Sequence, residues 1–254
     1  MRRPTAAAIL LALAGALLAV GHAQAARGVN LSWSRCAGEG LGTSLRAFAC
    51  DTNVGGDVLV ASFELGSPLA EVSGNEVVID LVSQDDPLPA WWEFRNPGTC
   101  RLGSLSMNLL EDPADVVCAD WQQGLSTGGI GAYSEELGMF PPDVATRHRK
   151  LKIALAVPPN SLADLLANTE YFSCNVVVDH AKTVGTGACG GCAGSVCLVL
   201  TSITVTTPVL SNDVFLLGGT SPGSDMAHWQ GSGANCLLVP AKNATWGQVK
   251  ALYR

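Results

Sequence analysis

The chain has 254 residues, with 15 basic and 22 acidic side chains, a net charge of −7, and 48% hydrophobic residues. That apolar content excludes an intrinsically disordered chain, and the acidic balance disfavours nucleic acid and anionic membrane surfaces as partners. The length accommodates one large β domain or two small ones.

Arg2 and Arg3 precede an apolar run over 6–20, and Ala23-Gln24-Ala25 supplies a small-x-small cleavage site. This is the pattern of a secretory signal, with an apolar run short of a membrane span. Cleavage near Ala25 is expected. It leaves 26–254 as one domain with no transmembrane span, secreted or periplasmic. The mature chain then carries 13 basic against 22 acidic residues, a net charge of −9.

Strands are expected over 29–33, 45–50, 57–65, 75–83 and 102–110, separated by glycine, proline and asparagine turns. Within 75–83, Val77, Ile79 and Leu81 alternate with Val78, Asp80 and Val82, the period of a half-buried strand. The cleanest alternation lies over 149–157, where Leu151, Ile153, Leu155 and Val157 share one face. Pro158-Pro159 ends it. A short capped helix is expected over 160–167, then strands over 170–180, 196–206 and 213–217. Segment 126–131 is glycine-rich, and 139–143 and 220–233 read as loops. Trp246, Val249, Leu252 and Tyr253 fall on one face of an expected C-terminal helix. Many strands with short helices point to an all-β, single-domain antiparallel β-sandwich, jelly-roll-like or immunoglobulin-like.

Nine cysteines lie in the mature chain, and export makes disulfides the default. Cys36–Cys50 and Cys100–Cys118 are the expected local pairs, each closing a short loop worth about 3 kcal/mol. Cys236 is expected to take one of Cys189, Cys192 and Cys197, leaving the other two to pair together. Cys174, inside a strand, is the expected free thiol.

The loop holding those three cysteines carries several chemical patterns. Gly185, Gly187 and Gly190 match a dinucleotide fingerprint, but a strand follows where a phosphate-binding helix is required. Cys189-Gly-Gly-Cys192 is a CxxC without the helix that activates a redox thiol. A zinc site there would have to recruit His180 or Cys236. No cofactor is assigned, and a disulfide-bearing loop is the favoured reading. Gly219-Thr-Ser-Pro-Gly223 matches a nucleophile elbow, yet Asp225 and His228 follow too closely to complete a triad. Asp51, Asn53 and Asp57 with Gly55-Gly56 are weak calcium candidates, against an Asx-type turn.

Trp91 and Trp92 are adjacent, so on a strand one is core and the other is free to stack on a sugar or a partner. Asp85, Asp86 and Glu93 lie beside them and supply carboxylates for a glycosidase-type rival. Other acidic pairs, such as Glu135-Glu136, read as solvated loops.

Four strings carry a resemblance: PLPAWWEFRNPGTCR from Pro87, KTVGTGACGGCAGSVCLVL from Lys182, the Asn235-Cys236 to Pro240 segment, and the closing TWGQVKALYR. With these the chain resembles a group of uncharacterised secreted bacterial cysteine-containing β-sandwich proteins. The resemblance covers most of the mature chain. It implies bacterial export, transfers no functional residue, and leaves Cys174 outside the group's cysteine pattern. The expected function is a non-catalytic binding or structural module of the cell exterior or periplasm. Its expected partner is a glycan, a cell-envelope component or a second copy of itself.

Overall fold

Strand β8 (His148–Ala156) buries Leu151, Ile153 and Leu155 and turns Lys152, Ala154 and Ala156 to solvent, as its alternation requires. The structure, a computed structural model, describes residues 28–38, 42–94, 98–112, 118–133, 146–218 and 224–236. The expected leader over 1–25, the Gly219–Gly223 pattern, Glu135-Glu136 and the expected C-terminal helix lie outside the described residues.

The described chain is all-β, with thirteen strands and two single 3-10 turns. Besides β8 the strands are β1 (Gly28–Trp33), β2 (Leu45–Arg46), β3 (Gly56–Glu64), β4 (Leu69–Val72), β5 (Gly74–Ser83), β6 (Leu105–Asn108) and β7 (Thr127–Tyr133). They continue with β9 (Ala163–Leu165), β10 (Glu170–Asp179), β11 (Val196–Thr206), β12 (Val214–Leu217) and β13 (Met226–Trp229). One sheet runs β1-β3-β10-β6. The larger runs β2-β13-β11-β5-β8-β7, with β12 also on β11, and β4 pairs with β9. All pairings are antiparallel except β2 with β13. Leu31, Leu59 and Val176 from the smaller sheet share one buried cluster with Ile79, Ile153 and Leu198 from the larger. No helix among the described residues is long and apolar enough to cross a membrane.

Two bulges set the phase of the core. Thr201 is the extra residue between Leu200, opposite Ile79, and Ser202, opposite Val78. Leu198 and Leu200 therefore share the core with Ile203 and Val205. Ser173 plays the same part in β10, between Phe172, opposite Ser62, and Cys174, opposite Ala61. Cys174 is thereby turned into the core, where burial pushes its thiol up to about 12 against a weaker opposing hydrogen bond with Ser173.

Two segments differ from the sequence expectation. No residue of the expected helix over 160–167 is helical, and Ala163–Leu165 within it is strand β9, pairing Leu165 with Leu69 and Ala163 with Val72. Eight residues nucleate a helix poorly, and β4 offers their backbone a ladder. The glycine-rich stretch 126–131, given no element from the sequence, falls on edge strand β7, where a Cβ at Gly128 would collide with the Ala154 carbonyl. The stretch read as loop over 220–233 contains β13, whose Trp229 is fully buried.

The disulfides are Cys36–Cys118, Cys50–Cys192, Cys100–Cys189 and Cys197–Cys236. The local pairs Cys36–Cys50 and Cys100–Cys118 do not form, and Cys189 does not pair with Cys192. The topology explains why. β2 joins the larger sheet beside β13 and carries Cys50 away from Cys36, toward Cys192, whose carbonyl accepts the Trp229 indole N–H. Cys118 precedes Ala119, which bridges Tyr171 of β10, and so arrives beside Cys36 in a buried cluster with Val60 and Phe172. Loop closure favours near neighbours in an open chain, but the sheets decide which sulfurs meet.

Candidate functional site

Trp91 and Trp92 sit on a 3-10 turn (Ala90–Trp92), not a strand, and both are buried. Successive residues on such a turn diverge less than on a strand, so both indoles enter the core. Trp91 stacks on Trp229 with centroids 5.1 Å apart and meets Trp92 edge-on at 5.0 Å. The Arg101 guanidinium lies 3.6 Å over the Trp91 ring and donates to the Trp91 carbonyl. Burial lowers Arg101 to about 10, an effect that the charge of Asp179 opposes. Neither indole can receive a sugar ring. Nor are the neighbouring carboxylates gathered around one. Asp85 and Asp86 are exposed, Asp86 accepts from the Thr146 hydroxyl, and Glu93 is paired with Arg149.

The calcium candidates are likewise committed elsewhere. Asp57 is buried and pairs with His180 at 2.9 Å and with Arg46. Asn53 accepts the backbone N–H groups of Thr183 and Val184 and donates to the Val184 carbonyl. Asp51 is exposed. Three side chains pointing to separate tasks cannot form one oxygen cage.

The glycine loop over 182–194 is held by Cys100–Cys189 and Cys50–Cys192 and by the Trp91 N–H donating to the Gly190 carbonyl. Gly191 has φ +102°, and a Cβ there would collide with Pro89. This packing accounts for the second glycine of Cys189-Gly-Gly-Cys192. His180 is bonded to Asp57 and to the Val54 carbonyl rather than to sulfur. Cys197, His228 and Cys236 come within 4.8 Å of one another, but the two sulfurs are joined.

A concave surface appears instead between the 119–125 segment, the 160–165 segment and Tyr171, with a volume of about 440 Å³. Small-molecule sites fall in the range of roughly 300–1,000 Å³. Its construction follows from the bulge in β10. Gln122, almost fully buried, donates through Nε2 to the carbonyls of Phe172 at 3.3 Å and Ser173 at 2.6 Å. Asp120 accepts the Gln122 N–H at 2.9 Å, and Leu125 N–H donates to the Gln122 carbonyl. The turn between them holds Gln123 at φ 52° and Gly124 at φ 68°. Cys36–Cys118 fixes the start of the segment.

On the opposite wall, Ser161 N–H donates to the Pro158 carbonyl and Asp164 accepts the Glu71 N–H at 3.0 Å. The Tyr171 hydroxyl oxygen accepts the Leu166 N–H at 2.8 Å. Trp121 is 5% exposed and lines the concavity, and its indole N–H has no hydrogen-bond acceptor. The lining carries two carboxylates and no basic side chain.

Known protein families, characterised proteins and solved structures contain no match to this chain.

Sequence reasoning passed over this site. Asp120-Trp121-Gln122-Gln123 is a polar run around one aromatic, directly after a cysteine and before Gly124. That composition was the available signal. The opposite wall was hidden because 160–167 reads as a helix.

Proposed function

We propose that the chain is an exported, disulfide-stapled, non-catalytic binding module with a β-sandwich architecture, acting at the cell exterior or in the periplasm of a bacterium. The cleft around Trp121 is its ligand site. The observation that carries this is the concave surface of about 440 Å³ between the 119–125 and 160–165 segments, lined by Asp120, Gln123, Asn160, Asp164 and Trp121. Four disulfides fit an oxidising compartment, and the leader-like start of the sequence agrees. Asp120 and Asp164 each spend one oxygen on a backbone N–H, an arrangement that holds acceptors in place for a ligand. The test is a binding screen of the purified mature protein against glycans and cell-envelope components, alongside its oligomeric state. Saturable binding that is lost on altering the cleft supports the proposal. Absence of any ligand and of any self-association contradicts it.

A second reading, self-association, is favoured by β12. Its Phe215 is 61% exposed and Leu217 41% exposed, with Leu210 of the preceding turn 83% exposed. Edge strands without charge or proline invite pairing with another strand. Sedimentation across a concentration series, with Phe215→Glu as the control, checks it: a dimer that the substitution dissolves supports pairing, and a monomer throughout excludes it.

A further inference from the structure

We infer that Cys197, His228 and Cys236 form a zinc site when the Cys197–Cys236 bridge is reduced, so that the bridge is a staple in its oxidised form and a metal centre in its dithiol form. The site shares no residue with the Trp121 cleft.

Strand pairing places two of the ligands. Cys197 of β11 stands directly opposite His228 of β13. Their neighbours Leu198, Ala227 and Trp229 belong to the main core, so Cys197 and His228 share the other face of the sheet. Cys236 comes in from the segment after β13 and closes over that face, packing with Val82, Val199 and Ala234.

The distances fit the metal. Ligand atoms of the three residues lie within 4.8 Å of one another. His228 Nε2 is 3.6 Å and Nδ1 3.8 Å from the Cys236 sulfur. A tetrahedral zinc with Zn–S of about 2.3 Å and Zn–N of about 2.0 Å holds a sulfur and a nitrogen ligand about 3.5 Å apart. The imidazole already stands at that spacing, and reduction frees the two sulfurs to separate around the ion. Two thiolates and one imidazole are a ligand set that zinc takes with its fourth position open. Together with the ion they sum to no net charge, which suits the apolar walls. Cys236 is 9% exposed and His228 is half-buried, so reductant and ion have a way in. Cys36, Cys118 and Glu170 also converge, but all three are buried, and Glu170 already accepts from the Ser62 hydroxyl and the Gly38 N–H.

The chemistry is thiol–disulfide exchange followed by metal binding. A reductant thiolate attacks the Cys236 sulfur, the S–S bond breaks, and Cys197 leaves as a thiolate and is protonated. A second reductant thiol displaces the first from Cys236 and departs with it as a disulfide, having passed two electrons to the bridge. Zinc then replaces the two thiol protons, which go to solvent.

The test is a redox titration of the full mature protein in glutathione mixtures, with and without buffered free zinc. Each bridge is read separately by alkylating its free thiols and mapping the peptides by mass. With about 1 µM free zinc, the ratio of squared reduced to oxidised glutathione at which Cys197–Cys236 is half reduced should fall at least about 100-fold, the factor for a Kd of about 10 nM. Cys36–Cys118, Cys50–Cys192 and Cys100–Cys189 should not shift. His228→Gln keeps the side chain's size and removes the imidazole, and should cut the shift to less than about 10-fold. Cobalt added to the reduced parent protein gives a readout that needs no variant: intense tetrahedral d–d bands with a thiolate-to-cobalt charge-transfer band are expected. A bridge that stays oxidised throughout, a midpoint that zinc leaves in place, a shift shared equally by the other bridges or undiminished in His228→Gln, or a six-coordinate cobalt spectrum overturns the site.

Discussion

The indole N–H of Trp91 donates to the hydroxyl of Thr183 at 3.0 Å. Two other core indoles are also paired, Trp33 with the His228 carbonyl and Trp229 with the Cys192 carbonyl. Trp92 and Trp121 are the described tryptophans whose indole N–H is buried without a partner. Trp92 is enclosed between Trp91, Phe94 and Trp229, whereas Trp121 lines a cleft.

Trp91 is a structural residue on this evidence. Trp91→Ala removes the ring that meets Trp92, Trp229 and Arg101, and should cost about 3–5 kcal/mol of stability. Guanidinium unfolding measures the loss, and ligand affinity of the folded variant should match that of the parent protein.

Cys50–Cys192 spans 142 positions of sequence and ties the glycine loop to the segment after β2. The other bridges shorten the covalent path around it, so the constraint it adds is that of a smaller loop. Replacing both cysteines by alanine should lower the unfolding free energy by about 3–4 kcal/mol. A thermal melt of the double variant, compared with the parent protein, checks this.

Cys174 should be silent to thiol reagents in the native protein. Its side chain is fully buried and its thiol is pushed up to about 12, so the reactive thiolate is suppressed by both access and ionisation. Titration with a chromogenic disulfide reagent should read no thiol in buffer and one per chain in guanidinium without reductant.

His228 makes stability fall in mild acid. Burial holds its imidazole below the ordinary value of 6.5. As pH drops below 6.5 the unfolded chain takes up the proton before the folded one does. The unfolded state therefore binds more protons in the window between the two values, and stability declines as pH falls through it. The contribution is intact above 6.5. His228→Gln should reduce the difference in urea midpoint between pH 7.5 and pH 5.5.

Much of the strand layout was legible because its cause is local. The alternation of Leu151, Ile153 and Leu155 reports a half-buried strand directly, and β11 occupies the expected 196–206. The phase shifts at Ser173 and Thr201 were not legible, since a bulge is set by the partner strand's register. Disulfide pairing was hidden for a related reason. Cys50 meets Cys192 because β2 joins β13, a contact between ends of the chain that share no local pattern. The Trp91-Trp92 pair drew attention as a binding platform because two adjacent indoles diverge on a strand. On a 3-10 turn both are core. Trp121 drew none, because the concavity it lines forms only when Gln122 is anchored on the β10 bulge and β9 closes the opposite wall.

The most direct test follows the indole N–H resonances of the ¹⁵N-labelled protein while the glycans and cell-envelope components of the binding screen are added, with Trp121 assigned from the Trp121→Phe variant. The resonance of Trp121, a residue lining the cleft, should shift progressively to saturation with at least one of them, while those of the core residues Trp33, Trp91 and Trp229 hold their positions. A Trp121 resonance that stays fixed at saturating concentrations of every component, or one that moves only together with the core indoles, would contradict a ligand site at the cleft.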